Sequence, residues 1–385
     1  MTSPMTPPMT PWSLARQLAG ALPALREAVR PGPDGPDLGA ALGLLGEIGA
    51  LRAPLPVDEG GAGLAQGAEA ALPLCTILRR LGRTDLSLAR LFEGHVNAVR
   101  LIEVHGRGAP RDRVRRLVRG GALLGVWGAD DSPPVRLCPD PGGAPSGPFR
   151  LEGRKRFASG LGLVTHAIVT ARTEAGVQMV LVEATEPARQ DPAAWTASAM
   201  RASVSGGFDA EGLAPAPGDL LAGPGALMTE PHFEGGIWRY CAAHVGGAEA
   251  LVEETRKVLG RAGRLADPIQ RARLGQAYAA ADTARLSTEA AALITETSVD
   301  GTDEAIRRAV ARALLARETV ESRCTEIMAL CERALGTLAH DAAQPADMIR
   351  RDLSLFLRQA APDAKLDRAV DGLVGDDAPE VGEAW

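Results

Sequence analysis

Three segments near the end of the chain, Ala248–Leu265, Ala272–Ile294 and Glu304–Leu335, each run without a proline and are dense in Ala, Leu, Arg and Glu. These residue types lose little freedom on entering a helix. Helices this long bury their apolar stripes by lying lengthwise against partners of similar length. A helical bundle is therefore expected over residues 232–373.

The two preceding stretches have other textures. In residues 12–121, Leu14, Leu18, Leu22 and Leu25 recur at three- and four-residue steps, as do Leu42, Leu45 and Ile48, so this region reads as helical. Breaks fall at Pro31–Pro36 and Pro54–Gly63. Residues 122–231 carry short β-prone runs: Leu123–Trp127, Phe149–Leu151, Thr165–Thr170 and Gln178–Val182. Turn-rich clusters, Pro139–Pro148 and Pro215–Gly218, divide them, which predicts a small β-barrel or sandwich. Residues 374–385 form an acidic tail expected to be mobile. The expected class is mainly α with a central β-domain, and no internal repeat is visible.

With 385 residues and 45% hydrophobic composition, the chain can bury a sizeable core. A formal charge of -6 disfavours nucleic acid as a partner, because phosphate binding needs a concentrated basic face. No apolar run reaches the length of a membrane span. Met1–Pro11 lacks the basic and apolar regions of a secretory signal and reads as a frayed tail. Cys75, Cys138, Cys241, Cys324 and Cys331 show no metal-ligand spacing, which fits a reducing, cytoplasmic setting. The histidines, His95, His105, His166, His232, His244 and His340, are scattered and predict structural roles rather than a metal centre. Gly61–Gly67 has the wrong spacing for a dinucleotide fingerprint and reads as a turn. Lys155, Lys257 and Lys365 are the only lysines, so Schiff-base chemistry is not expected.

Five motifs, in order, carry a resemblance. They are Gly49–Pro54 followed by Gly60-Gly61-Ala62-Gly63-Leu64; Leu86–Arg90 with His95; Leu123–Asp131; Leu151-Glu152-Gly153-Arg154-Lys155-Arg156-Phe157-Ala158-Ser159-Gly160; and Arg351-Asp352. Together they resemble the acyl-CoA dehydrogenase family over about Leu14 to Val370. The fourth is the most specific. The resemblance implies an N-terminal helical domain, a middle β-domain and a C-terminal four-helix bundle. It also implies an FAD-dependent oxidoreductase acting on the CH–CH bond of an acyl-CoA thioester, and assembly as a homodimer or homotetramer.

By that resemblance, Phe157 packs against the flavin ring and Ser159 hydrogen-bonds its edge, while the backbone of Val126 and Trp127 faces it from the other side. The alternative is that Phe157 and Trp127 are ordinary core aromatics. Arg264, with Arg261 and Arg273 as substitutes, stands for the family's pyrophosphate-binding arginine. Gly336, in Arg333-Ala334-Leu335-Gly336-Thr337, is what remains of a later glycine motif. The resemblance therefore implies FAD, with FMN or an empty site also open.

The departures fall on the chemistry. The family's usual base lies eight residues after the Asp of the R-D pair, and Ala360 stands there. The less common base position falls at Gly236, leaving Glu234 as the nearest carboxylate, against a plain role as a helix-start acid. Asp130 and Asp131 are further candidate acids, against turn-forming carboxylates. Trp238 and Tyr240 either line a pocket or pack in the core. Three functions compete: a dehydrogenase with a relocated base, a reduced-flavin-dependent monooxygenase that needs no such base, and a non-catalytic flavin- or acyl-binding relative.

Overall fold

The computed structural model describes residues 9–29, 38–144, 147–359, 361–371 and 373–374. The R-D-plus-eight position, Ala360, the Pro31–Pro36 break and most of the acidic tail lie outside them. The described residues form the expected class, mainly helical with a central β region. They divide into two compact units, one of residues 1–74, 91–196 and 203–227, the other of residues 75–90, 197–202 and 228–385.

The helices of the first half are α1 (Pro11–Ala28), α2 (Gly39–Glu47), α3 (Ala68–Thr84), α4 (Leu86–His105) and α5 (Gly108–Arg119). Thr10 starts α1 with a capping box, its side chain accepting from Ser13 N. The strands follow: β1 (Leu124–Trp127), β2 (Arg136–Ala144), β3 (Gly147–Glu152), β4 (Arg154–Ala158), β5 (His166–Thr173), β6 (Gly176–Glu183), β7 (Gln190–Asp191), β8 (Gly206–Asp209) and β9 (Leu220–Leu221).

One sheet has the order β3-β2-β5-β6-β9, with β1 pairing parallel to β5; a second, smaller sheet has the order β4-β8-β7. Strand β5 reads as a nearly continuous buried run, as a central strand should. Leu124, Ile168, Met179 and Leu181 of the larger sheet share a core with Val99 and Ile102 of α4.

One stretch differs from its sequence reading. Pro139–Pro148 reads as a turn cluster, but β2 runs through to Ala144 and pairs antiparallel with β3. The register shifts between Pro139 and Ala144, and β3 is an edge strand. Bulges and edges are where a strand can accommodate prolines, which have no N–H to give.

His95 of α4 fixes the first unit. It is fully buried; the Leu124 N–H donates to its Nδ1 (3.0 Å), and Nε2 lies 2.6 Å from Leu51 O. Because Nδ1 accepts, the proton must sit on Nε2, which donates to Leu51. One neutral imidazole thus ties the turn after α2 to the start of β1.

The second unit holds α6 (Trp238–Arg261), α7 (Pro268–Thr297), α8 (Asp303–Leu335), α9 (Pro345–Phe356) and α10 (Pro362–Asp371). Asp267 caps α7 and Thr302 caps α8. The end of α3 crosses α6 at very close range. A Cβ on Gly246 would lie 2.0 Å from Arg79 O, and one on Gly82 would lie 2.2 Å from Ala243 O. Only glycine fits at both points, and the Arg79–Glu249 ion pair (2.7 Å) closes over the crossing. His244 lies inside this unit, its ring edge-on to Phe356 at 4.4 Å. No helix among the described residues is long and apolar enough to cross a membrane.

Burial pushes the His95 imidazole down to about 4, and burial together with the Arg317 charge pushes His244 down to about 3. The folded state therefore holds fewer protons than the unfolded chain between those values and the ordinary histidine value of about 6.5. The stability tied to each neutral ring is complete above that value and is lost as pH falls. Urea unfolding at pH 7 and pH 5 should show a loss of about 2 kcal/mol for each histidine. His95→Gln should make the profile shallower; an unchanged slope would refute the assignment.

Candidate functional site

The site-bearing strand β4 is anchored by Lys155, whose side chain is 0% exposed. Burying an ammonium costs several kcal/mol unless its protons are met. All three are: by Asp130 Oδ1 (2.6 Å), Thr170 Oγ1 (2.8 Å) and Gly128 O (3.3 Å). Asp130 also pairs with Arg172 (3.1 Å) and accepts from Val135 N. Burial would raise the Asp130 carboxyl, but its hydrogen bond to Lys155 and that lysine's charge, with Arg172, hold it below the usual range. For Lys155, desolvation outweighs the Asp130 contacts and lowers it from the ordinary lysine value.

Asp130 is thus a committed counter-ion. Asp131 accepts from Ser132 N (2.9 Å), so it makes the turn. Sequence reasoning missed the Lys155–Asp130 pair although Lys155 stands inside the most specific motif. The signal was the scarcity of lysine: one of three, inside a strand.

The pairing of β4 with β8 shifts register between Lys155 and Ala158. Such an irregularity redirects a side chain. Phe157, at the shift, has φ +58° and is 54% exposed. A bulky residue in that backbone region carries strain of about 1–3 kcal/mol. Its ring meets the Trp195 ring edge-on at 5.9 Å, with the Arg156 guanidinium 4.9 Å from its centroid. Phe157 is therefore not a core residue; it forms an aromatic shelf.

Ser159 follows directly. The indole N–H of Trp127 donates to Ser159 O (3.1 Å), and Trp127 itself is buried with its ring 4.9 Å from Phe208. Gly160 N donates to Ser203 O and Leu161 N to Val204 O. The Ser159 hydroxyl accepts from Ser205 Oγ (3.0 Å), and Ser205 Oγ lies 2.8 Å from Ser203 Oγ. Val126 of β1 is paired with Ile168 of β5. Trp127 therefore braces Ser159 from within, two residues along from the exposed Phe157, with Val126 adjoining along β1. Neither Ser203 nor Ser205 was singled out in the sequence, because a lone hydroxyl carries no pattern.

The remaining candidates lie in the second unit. Glu234 is buried, and its two oxygens face Lys365 (3.4 Å) and Arg368 (2.9 Å) of α10. The acid that caps the turn at Gly235 is instead Glu230, which accepts from Glu234 N (3.0 Å) and Gly235 N (3.1 Å). Desolvation raises the Glu230 carboxyl. Trp238 and Tyr240 are buried in α6.

Arg264 is exposed in the turn after α6, so the length of that helix, roughly 36 Å at 1.5 Å per residue, separates it from Glu234. In the amide orientation that satisfies both its atoms, Gln270 O accepts from Arg264 (2.7 Å) and Arg273 (3.2 Å). Arg273 also donates to Arg333 O (2.9 Å). Gly336 ends α8 with φ +65°, which suits a glycine C-cap. Arg264, Arg273 and the end of α8 thus share one end of the bundle. The R-D pair clamps a backbone: Arg351 donates to Ser198 O (2.5 Å), and Asp352 accepts from Met200 N (2.6 Å).

Compared with models of known protein families and with curated protein sequences, the chain finds no match. Solved structures do match. TdsC from Paenibacillus sp. A11-2, in complex with FMN and indole, aligns with TM-score 0.79 at 19% identity, covering 96% of this chain and 98% of that one. KijD3, in complex with FMN and a dTDP-linked amino keto sugar, gives TM-score 0.79 at 19% identity over 98% and 97%. The nitrososynthase from Micromonospora carbonacea var. africana gives TM-score 0.75 at 24% identity over 96% of each chain. Similarity at this level of identity is a statement about architecture. The chain has the acyl-CoA dehydrogenase-like fold.

Removing the buried ammonium should uncouple β4 from β1 and β5. Lys155→Met is expected to destabilise the protein by about 2–4 kcal/mol, because Asp130 loses a partner and Thr170 and Gly128 O lose a donor. Lys155→Arg should not restore it, since a planar guanidinium cannot meet three converging acceptors sized for an ammonium. Chemical denaturation checks this; a wild-type midpoint in Lys155→Met would overturn the assignment.

Proposed function

We propose that the protein is a flavin-dependent oxidoreductase, and more specifically a monooxygenase that works with reduced FMN on a small-molecule substrate. The observation that carries the choice of reaction is the state of the carboxylates. A dehydrogenase on this fold needs a base within reach of an acidic proton. The sequence has Ala360 where the usual base would stand, and Glu234 has both oxygens turned to cations. Asp130 is spent on Lys155. A monooxygenase needs none of them.

The first unit suits a flavin. Phe157 is an exposed aromatic kept out of the core at a conformational cost, and Ser159, two residues on, carries a half-buried hydroxyl. A flat, polarisable ring is well matched by an aromatic shelf. Bound reduced flavin would supply the electrons that activate dioxygen. The protein's own share is then to cover the ring with Phe157, to offer a hydrogen bond from Ser159, and to hold both through Lys155 and Trp127.

FMN is proposed in place of the FAD that the sequence resemblance implies. The Arg264 guanidinium is already met by Gln270, and the later glycine motif keeps only Gly336. TdsC and KijD3 carry FMN in their solved structures, and TdsC is described as a dibenzothiophene monooxygenase. These similarities support the reading.

The test is FMN titration of the purified protein, followed by supply of reduced FMN and labelled oxygen with a panel of indole, dibenzothiophene and amino-sugar nucleotides. Saturable FMN binding and label in a product are expected, and Phe157→Ala should weaken binding at least about tenfold, or 1.4 kcal/mol. Bleaching of the bound flavin by an acyl-CoA without oxygen would overturn the monooxygenase reading in favour of a dehydrogenase.

The Glu234 assignment has its own check. Glu234→Gln should lower stability by about 1–3 kcal/mol, because Lys365 and Arg368 lose a charged partner. It should leave FMN affinity and turnover within about twofold. A selective loss of turnover at wild-type stability would return Glu234 to the list of bases.

A further inference from the structure

We infer that Ser205 is a positioning residue that leaves the Ser159 proton available for donation to a ligand. The inference rests on the flavin reading above and deepens it. Each serine hydroxyl has one proton to give and two lone pairs to receive. Ser205 Oγ donates to Ser159 Oγ (3.0 Å), so its only proton is spent. The 2.8 Å contact between Ser205 and Ser203 must then run from Ser203 to Ser205. The chain of three hydroxyls has one direction, and it ends on Ser159.

The proton left over is the one on Ser159 Oγ, and no acceptor for it is present among the described residues. Ser203 is 1% exposed and Ser205 is 3% exposed, whereas Ser159 is half-buried. The two inner hydroxyls are thus shut away from water while the outer one is not. Hydrogen bonds in series polarise one another, so Ser159 is a stronger donor than a solitary serine.

The backbone holds the chain in register. Gly160 N on Ser203 O and Leu161 N on Val204 O clamp the two segments side by side, and the Trp127 indole occupies Ser159 O. The indole takes one lone pair of that carbonyl, and the proton left over at Ser159 is the one on its hydroxyl. An acceptor on a ligand can take that proton, as N5 or O4 of an oxidised isoalloxazine would and as O4 alone would once the ring is reduced. An acceptor-poor ring of the same shape would lose the interaction.

The experiment is a double-mutant cycle on purified protein, read by FMN dissociation constant and by the visible absorption band of the bound flavin. Ser205→Ala should weaken FMN binding about three- to tenfold and move the band toward that of free FMN, with thermal stability close to wild type. Ser205→Thr, which keeps the hydroxyl, should restore the band. In a Ser159→Ala background, adding Ser205→Ala should change affinity by less than about twofold, because Ser205 acts only through Ser159.

An equal loss in both backgrounds would mean a merely structural serine and would overturn the inference. Wild-type binding in Ser205→Ala would overturn it too. Either result leaves the flavin reading standing. A wild-type protein that takes up no FMN would remove that reading, and this inference with it.

Discussion

A single ammonium group with no access to water organises the candidate site. Lys155 points inward from β4, and its protons fix three separate pieces of chain: the segment after β1 through Gly128, the turn through Asp130, and β5 through Thr170. In water these contacts would be worth little, since each group would find a solvent partner. In a dry interior the reverse holds, because any displacement strands a charge. The register of β4 is therefore set from inside, and the irregularity that turns Phe157 outward follows from a strand that cannot slide.

The architecture was legible because its signals are additive over many residues. Long proline-free helical segments sum small preferences over ten or more positions, and the short β-prone runs are marked off by the turn clusters between them. Single-residue roles were harder. Asp130 read as a possible acid because its partner lies twenty-five positions away in sequence. Glu234 was weighed as the acid at the helix start, yet Glu230 does that work, and Glu234 answers two cations on a helix far along the chain. His95 stands in a motif that says nothing of its bonding, and nothing in the sequence says that both its ring nitrogens are taken. The prolines after Cys138 read as a turn, whereas the register shift and the edge position let a hairpin absorb them.

The functional argument turns on what the carboxylates are doing. Acids inherited by a fold can be kept for architecture after the chemistry that used them has gone. Here the acids considered as bases are engaged with lysine, arginine or backbone N–H groups, and the surface that stays available is aromatic and hydroxyl-bearing. A shelf that costs backbone strain to display is easier to understand as something retained for a ligand than as a packing accident. Fold similarity alone does not separate oxygen insertion from dehydrogenation; the pairing of each charge is what favours the proposed reading.

The crossing of α3 and α6 constrains how this protein can vary. Gly82 and Gly246 each sit against the opposite main chain, so neither can acquire a methyl unless the two helices part. Parting them would stretch Arg79 away from Glu249. Compensation by a single neighbouring substitution is not available, because the obstacle is backbone rather than side chain. The two positions should therefore be locked in any functioning descendant, however far the surrounding surface drifts.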